Sequence, residues 1–206
     1  MSVAWLFCSA DRASSRRPTS EPYKGDLAIF EDPKRAENLQ IERVMDLLRI
    51  KPGARVADIG AGSGWFTVRS ARRVGETGRV YAVEINKDYI CHIQERARDE
   101  KLPNVQTILG KADDPLLAAK SIDAVMLLKT YHEIAEPIAL LRHVRKAMRP
   151  NALLGIIDRN GNGADHGLNA DVVIKEAASA GFELVEQYDF VKADGLDYFL
   201  IFRAAE

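Results

Sequence analysis

The stretch Val56-Ala57-Asp58-Ile59-Gly60-Ala61-Gly62-Ser63-Gly64-Trp65-Phe66-Thr67 sets three glycines at alternate positions between an apolar run and a helix-like one. Without a Cβ at those positions the backbone turns sharply and approaches a ligand closely. A dinucleotide fingerprint, G-x-G-x-x-G, needs its third glycine at position 65, where this chain has Trp65 and carries Gly64 instead. Twenty residues beyond Gly64 stands Glu84, and a carboxylate at that distance accepts both hydroxyl protons of a ribose. Asp58 adds a negative charge that repels a pyrophosphate and suits a cofactor bearing a cation. A bare strand-to-helix turn is the alternative reading of the loop.

Two further polar segments follow apolar runs. In Lys129-Thr130-Tyr131-His132-Glu133, His132 is of the side-chain type suited to general-base work. Tyr131 beside it suits hydrogen bonding to an acceptor; alternatively both residues cap a strand end and pack on the next helix. The loop Asp158 to Gly167 offers Asp158, Arg159 and His166 to a polar acceptor, or is a plain solvent loop. Asp165 and His166 are adjacent and no third ligand has helical spacing, so no metal is assigned.

The elements that carry these groups alternate. Asp32-Pro33 opens a helix, with a cap residue and proline at the first helical position. Ile41, Val44, Met45 and Leu48 share one face of it, and Lys51-Pro52-Gly53 ends it. Strands are expected over Arg55 to Ile59, Val80 to Ile85, Val105 to Leu109, Asp123 to Leu128 and Ala152 to Ile157. Helices are expected from Gly64 to Val74, from Asp88 to Glu100, from Pro137 (with Leu140, Leu141, Val144 and Met148 on one face), and from Asn169 to Ala180. Phe182 to Val191 and Asp197 to Phe202 have no helix between them and are expected to pair antiparallel. Such alternation implies an α/β fold, a parallel sheet with helices on both faces, whose ligand sits at the carboxyl ends of the strands. Glu31-Asp32-Pro33-Lys34-Arg35 reads as a capped, solvated helix start or as a lid over the ligand.

Composition narrows the classes. The chain has 206 residues, 47% of them hydrophobic and 29% charged, which suits one globular domain with a real core. Lys and Arg number 29 against 30 Asp and Glu, so there is no strong nucleic-acid signal. Cys8 and Cys91 have no paired-thiol or metal spacing. No apolar run reaches the roughly 20 residues of a membrane-spanning helix, and no secretory signal is expected, so a cytoplasmic protein is. Asp11 to Pro22, rich in Ser, Arg and Pro, reads as a flexible N-terminal arm over residues 1–22, ahead of a domain over 23–206. Arg12, Arg16 and Arg17 in it suit an acidic partner, or are solvated. Cys91 is expected at the core or its boundary, and His92 and His143 at the surface or in packing.

At the glycine loop and Glu84 the chain resembles class I S-adenosylmethionine-dependent methyltransferases. The resemblance rests on D-I-G-A-G-S-G, on Glu84 in V-Y-A-V-E-I-N, on Asp123-Ala-Val-Met-Leu-Leu and on R-P-N-A-L-L-G-I-I-D, and covers roughly Lys51 to Phe202. It implies a Rossmann-like three-layer sandwich around a seven-stranded, mostly parallel sheet with an antiparallel last strand. It implies S-adenosyl-L-methionine as cofactor, with Gly60, Ala61, Gly62 and Gly64 close to its methionine part and Asp58 orienting that end. Glu84 would hold the ribose hydroxyls and Ile85 would pack on the adenine. Gly110 to Pro115 resembles the adenine-binding turn, but Lys111 stands where many relatives have an acid or amide. Adenine recognition then falls to Ala112 and Asp113, with Asp113 reading equally well as a surface turn acid. Lys129 joins the cofactor-binding set, and His132 and Tyr131 are the catalytic candidates.

The implied activity is methyl transfer to a small or medium organic acceptor. The N-P-P-Y type tetrad of amino-methylating nucleic-acid and glutamine enzymes is absent. A non-catalytic S-adenosylmethionine-binding regulator or scaffold is the alternative, and Trp65 disfavours a nicotinamide-dependent oxidoreductase.

Overall fold

A computed structural model of the chain describes residues 17–191 and 195–205. Seven strands form one sheet: β1 (Arg55–Ile59), β2 (Arg79–Glu84), β3 (Val105–Leu109), β4 (Ile122–Leu128), β5 (Met148–Arg159), β6 (Phe182–Tyr188) and β7 (Asp197–Ala204), in the order β3-β2-β1-β4-β5-β7-β6. β7 runs antiparallel to both neighbours and the others run parallel. The helices are α1 (Arg35–Asn38), α2 (Ile41–Leu47), α3 (Trp65–Val74), α4 (Lys87–Asp99), α5 (Pro137–Ala147) and α6 (Ala170–Ser179). None is long and apolar enough to cross a membrane among the described residues.

The central strands are mostly apolar, because strand side chains alternate between faces and both faces are covered. Ala57, Val125, Leu127, Leu154 and Ile156 join Leu141 and Val144 of α5 and Val173 of α6 in one core. Val56, Ala124, Met126 and Leu153 join Val44 and Met45 of α2 and Phe66 and Val74 of α3 in the other. β1 has β2 on one side and β4 on the other, so the chain order reverses there, and a crevice opens above the carboxyl ends of these strands.

Three local expectations change. The helix expected from Pro33 through Leu48 breaks at Gln40, which takes φ 45°. A continuous helix would point Leu39 and Ile41 to nearly opposite sides, and the break lets both bury. Met148 leaves the face of α5 and starts β5, and Cys91 is exposed on α4 rather than at the core. Cys8, Arg12 and Arg16 lie outside the described residues, as does the expected arm up to residue 16.

Candidate active site

Gly60, Gly62 and Gly64 adopt φ of 72°, 55° and 74°, the left-handed region that L side chains avoid. Gly60 has a second reason to be glycine: a Cβ there would stand 2.3 Å from Thr130 Oγ1. The Gly60 and Ala61 amides donate to the Val83 carbonyl at 2.9 and 3.1 Å, which ties the loop to the end of β2. The carboxylate of Glu84, only 8% exposed, accepts from three amides: Gly62 on Oε2 at 3.0 Å, and Ile85 and Asn86 on Oε1 at 2.7 and 3.1 Å. An anion held by three N–H donors has a fixed direction before any ligand arrives.

Above this loop lies a cavity of about 610 Å³, within the size range of small-molecule sites. Asp58, Gly60, Ala61, Gly62, Glu84, Ile85, Ala112 and Lys129 border it. Asp58 is buried and accepts from Thr67 Oγ1 at 2.6 Å; burial pushes its carboxyl up to about 6, against that hydrogen bond. Ile85 offers an apolar surface 48% exposed. Lys129 pairs its ammonium with the buried Asp197 at the start of β7.

Two residues named for the cofactor stand outside the cavity wall. Gly64 caps α3, and its Cα faces Ile93, 3.3 Å from where a Cβ would be. Asp113 is exposed, its carbonyl accepting from His143 Nδ1 at 2.9 Å, while Lys111, Ala112 and Pro115 of the same turn reach the cavity. The turn closes through Lys111 N–H donating to the Asp114 carbonyl, which leaves Asp113 on its outer side.

The segment before α1 is a turn that serves as a cover: Pro33 lies ahead of the helix rather than at its first position, and Lys34, the residue at the helix N-terminus, has no side-chain cap bond. Asp32 Oδ1 accepts from Lys34 N at 2.8 Å and closes that turn. Glu31 meets Arg96 as a fork, at 2.6 and 3.1 Å, and accepts from Ser63 Oγ at 2.7 Å. Burial works against this carboxylate, but the Arg96 and Ser63 hydrogen bonds hold it below its ordinary value. Phe30 and Arg35 thereby border the cavity, with Arg35 stacked 4.6 Å from the Trp65 ring centroid and its guanidinium pushed down to about 10 by burial.

At the other end of the cavity, the two catalytic candidates part company. Tyr131 is fully buried and turned away into α6, its hydroxyl donating to Glu176 Oε2 at 2.9 Å. Burial, with the Glu176 charge, raises its phenol well above the ordinary value. Tyr131 therefore packs toward α6 and does not border the cavity, contrary to its expected place beside an acceptor. His132, 4% exposed, stands one layer behind the wall. Its Nδ1–H donates to Asp158 at 2.9 Å, and its amide donates to the same carboxylate at 3.0 Å. Glu133, its neighbour, does border the cavity; burial pushes its carboxyl up to about 7, while His132 and the Tyr23 amide work the other way.

Sequence reasoning missed the strap formed by residues 17–24, which it assigned mostly to the arm. Arg17 reaches Glu176 at 2.8 Å and the carbonyls of Tyr131 and Ile134 at 3.2 and 3.0 Å, so its acidic partner is within the chain. Ser20 donates its amide to the His132 carbonyl at 3.2 Å and accepts from the His166 amide at 3.0 Å. Tyr23 donates its amide to Glu133 at 3.3 Å. No local pattern signals this, because each partner is distant in the sequence. The same loops bring His166 beside His132, with ring centroids 5.8 Å apart.

Residues 56–151 match a family model described as a methyltransferase domain. A tRNA (adenine(58)-N(1))-methyltransferase of Thermus thermophilus is 29% identical over 145 residues, covering 70% of this chain and 54% of that protein. A 2-phytyl-1,4-naphtoquinone methyltransferase of Trichormus variabilis is 28% identical over 109 residues, 52% of this chain and 48% of that one. The chain thus spans about half the length of these curated relatives. The crystal structure of a SAM-dependent methyltransferase from Aquifex aeolicus superposes with a TM-score of 0.78 at 23% identity, covering 87% of this chain and 98% of that one.

Proposed function

We propose that this chain, which belongs to the class I S-adenosylmethionine-dependent methyltransferases, moves the sulfonium methyl group of its cofactor to a small or medium organic acceptor. The observation that carries the reading is Glu84, an anion oriented by three amides at the rim of a cavity beside the glycine loop. Its carboxylate accepts from the ribose, with one lone pair of Oε2 left open by the amides, while Ile85 and Ala112 border the adenine. Asp58 lies toward the methionine amino group, whose positive charge it matches.

Methyl transfer is an in-line displacement. When bound, the cofactor would supply an electrophilic methyl carbon: the acceptor's lone pair would bond to it as the carbon–sulfur electron pair returned to sulfur, leaving a neutral thioether. The protein's share is to orient the two reactants and exclude water. Phe30, Arg35 and the strap at residues 19–24 enclose the cavity for that purpose. The acceptor enters beside Thr130 and Glu133, with the His132–Asp158 pair one layer behind the cavity wall. The strap limits acceptor size, and the balanced charge lacks the basic excess of tRNA binders. The catalytic domain takes in the strap from Arg17 onward as well as residues 23–206, and cytoplasmic placement belongs to the same reading.

The test is calorimetry with S-adenosylmethionine and NAD, followed by turnover on an acceptor panel of hydroxylated aromatics, quinols and bulk tRNA. Binding of the sulfonium cofactor alone and methylation of a small acceptor are expected. NAD binding without sulfonium binding overturns the reading. Methylation of tRNA alone reassigns the acceptor, and cofactor binding without any turnover favours a scaffold role.

A further inference from the structure

We propose that His132, Glu133 and His166 hold a divalent transition-metal ion at the acceptor end of the cavity. Each offers one ligand atom, and these atoms all lie within 4.8 Å of one another. His132 Nε2 is 3.8 Å from Glu133 Oε1, and the two imidazole rings meet edge to face at 88°. Nitrogen and carboxylate ligands sit about 2.0–2.2 Å from such an ion, so two of them stand roughly 3–4 Å apart around it. A small movement of exposed His166 closes the difference.

Three observations separate this cluster from a chance meeting of polar side chains. The first is Asp158, fully buried, which accepts the Nδ1 proton of His132. A carboxylate on the far nitrogen fixes the tautomer and turns the Nε2 lone pair outward, which is the usual outer support of a metal-bound histidine. Secondly, Nε2 faces Glu133 Oε1 at 3.8 Å, with a ligand atom of His166 within 4.8 Å, in a side chain 5% exposed. A nitrogen lone pair set between a carboxylate and a second imidazole suits a cation. The third is the shared anchor: Ser20 binds the backbone of both His132 and His166, so the two loops keep one spacing.

The donor set names the class of ion. Two imidazoles and one carboxylate suit zinc, iron, cobalt or nickel in the divalent state better than magnesium or calcium. Three protein ligands leave a position open, as in catalytic sites, and Glu133 borders the cavity into which it opens. Resting on the methyl-transfer reading, that position takes an oxygen of the acceptor. Coordination lowers the pKa of a hydroxyl, its proton leaves to water, and the oxygen lone pair then forms the bond to the methyl carbon.

The experiment titrates Co²⁺ into the tag-free, chelator-treated full chain without S-adenosylmethionine, so its outcome is independent of cofactor binding. One equivalent should produce a visible ligand-field band that Zn²⁺ abolishes. His166→Ala, at an exposed position, should weaken Co²⁺ binding at least roughly tenfold with an unchanged melting temperature, and Glu133→Gln should act alike. Asp158→Asn should weaken it by about 10–100-fold. Absence of the band in the parent protein overturns the proposal, as does parental affinity in His166→Ala. Failure to bind S-adenosylmethionine in a separate titration would instead overturn the methyl-transfer reading and leave the metal site standing.

Discussion

Gly62, in the loop after β1, and Glu84, at the end of β2, are joined by a 3.0 Å hydrogen bond from the glycine amide to the carboxylate. The bond makes the glycine loop and the ribose-facing acid one unit, because Ile59 and Val83 pair directly below it in the sheet. Neither part can shift without the other.

Glu84→Ala should therefore have two effects. Loss of the charge-assisted bonding to a ribose costs on the order of 2–4 kcal/mol, so cofactor affinity falls at least roughly tenfold. Three amides also lose their acceptor, so the cofactor-free protein should melt lower as well. Calorimetry and a thermal melt on the same variant check both; parental cofactor affinity rules out the ribose role.

Asp58 predicts opposite pH trends for stability and binding. Its folded carboxyl is raised from 3.8 to about 6, first by burial and also by Glu84, against Thr67 and Arg35. Between these values the folded state holds a proton that the unfolded chain has released, so its contribution to stability falls as pH rises from about 4 to about 6. The full difference is roughly 3 kcal/mol. The cationic cofactor favours the ionised form, so affinity should rise through about pH 6 and then level. Asp58→Asn should flatten both trends in denaturant melts and calorimetry over pH 4–8.

Tyr131→Phe separates structure from chemistry. Removing a buried hydroxyl that donates to Glu176 should cost roughly 1–3 kcal/mol of stability and leave cofactor affinity within about twofold. A variant with parental melting temperature and abolished turnover would restore Tyr131 to the catalytic group.

The fork between Glu31 and Arg96 holds the cover over the glycine loop. Glu31→Gln breaks a partly exposed ion pair, so the melting temperature should hardly move. Cofactor release measured by stopped flow should quicken by about three- to tenfold. An unchanged release rate would show that the cover does not gate the cofactor.

Much of this molecule was legible locally. β4 runs over Ile122–Leu128, one residue longer than the short apolar run Asp123 to Leu128 predicts, and the glycine spacing with Glu84 points to the cofactor crevice before any strand order is known. Both are local facts: burial on two faces demands apolar runs, and a tight strand-to-helix turn demands glycine. Gln40, Tyr131, Ser20 and His166 belong to the tertiary structure alone. The left-handed turn at Gln40 exists because two flanking side chains bury at once. Tyr131 points inward because Glu176 and Arg17 meet it from α6 and the strap. His166 reaches His132 because β4 and β5 are neighbours, so the loops leaving their carboxyl ends share one edge of the sheet. Periodicity records which side chains face a core, but which distant loops meet depends on strand order, and that is settled by the packing of the whole chain.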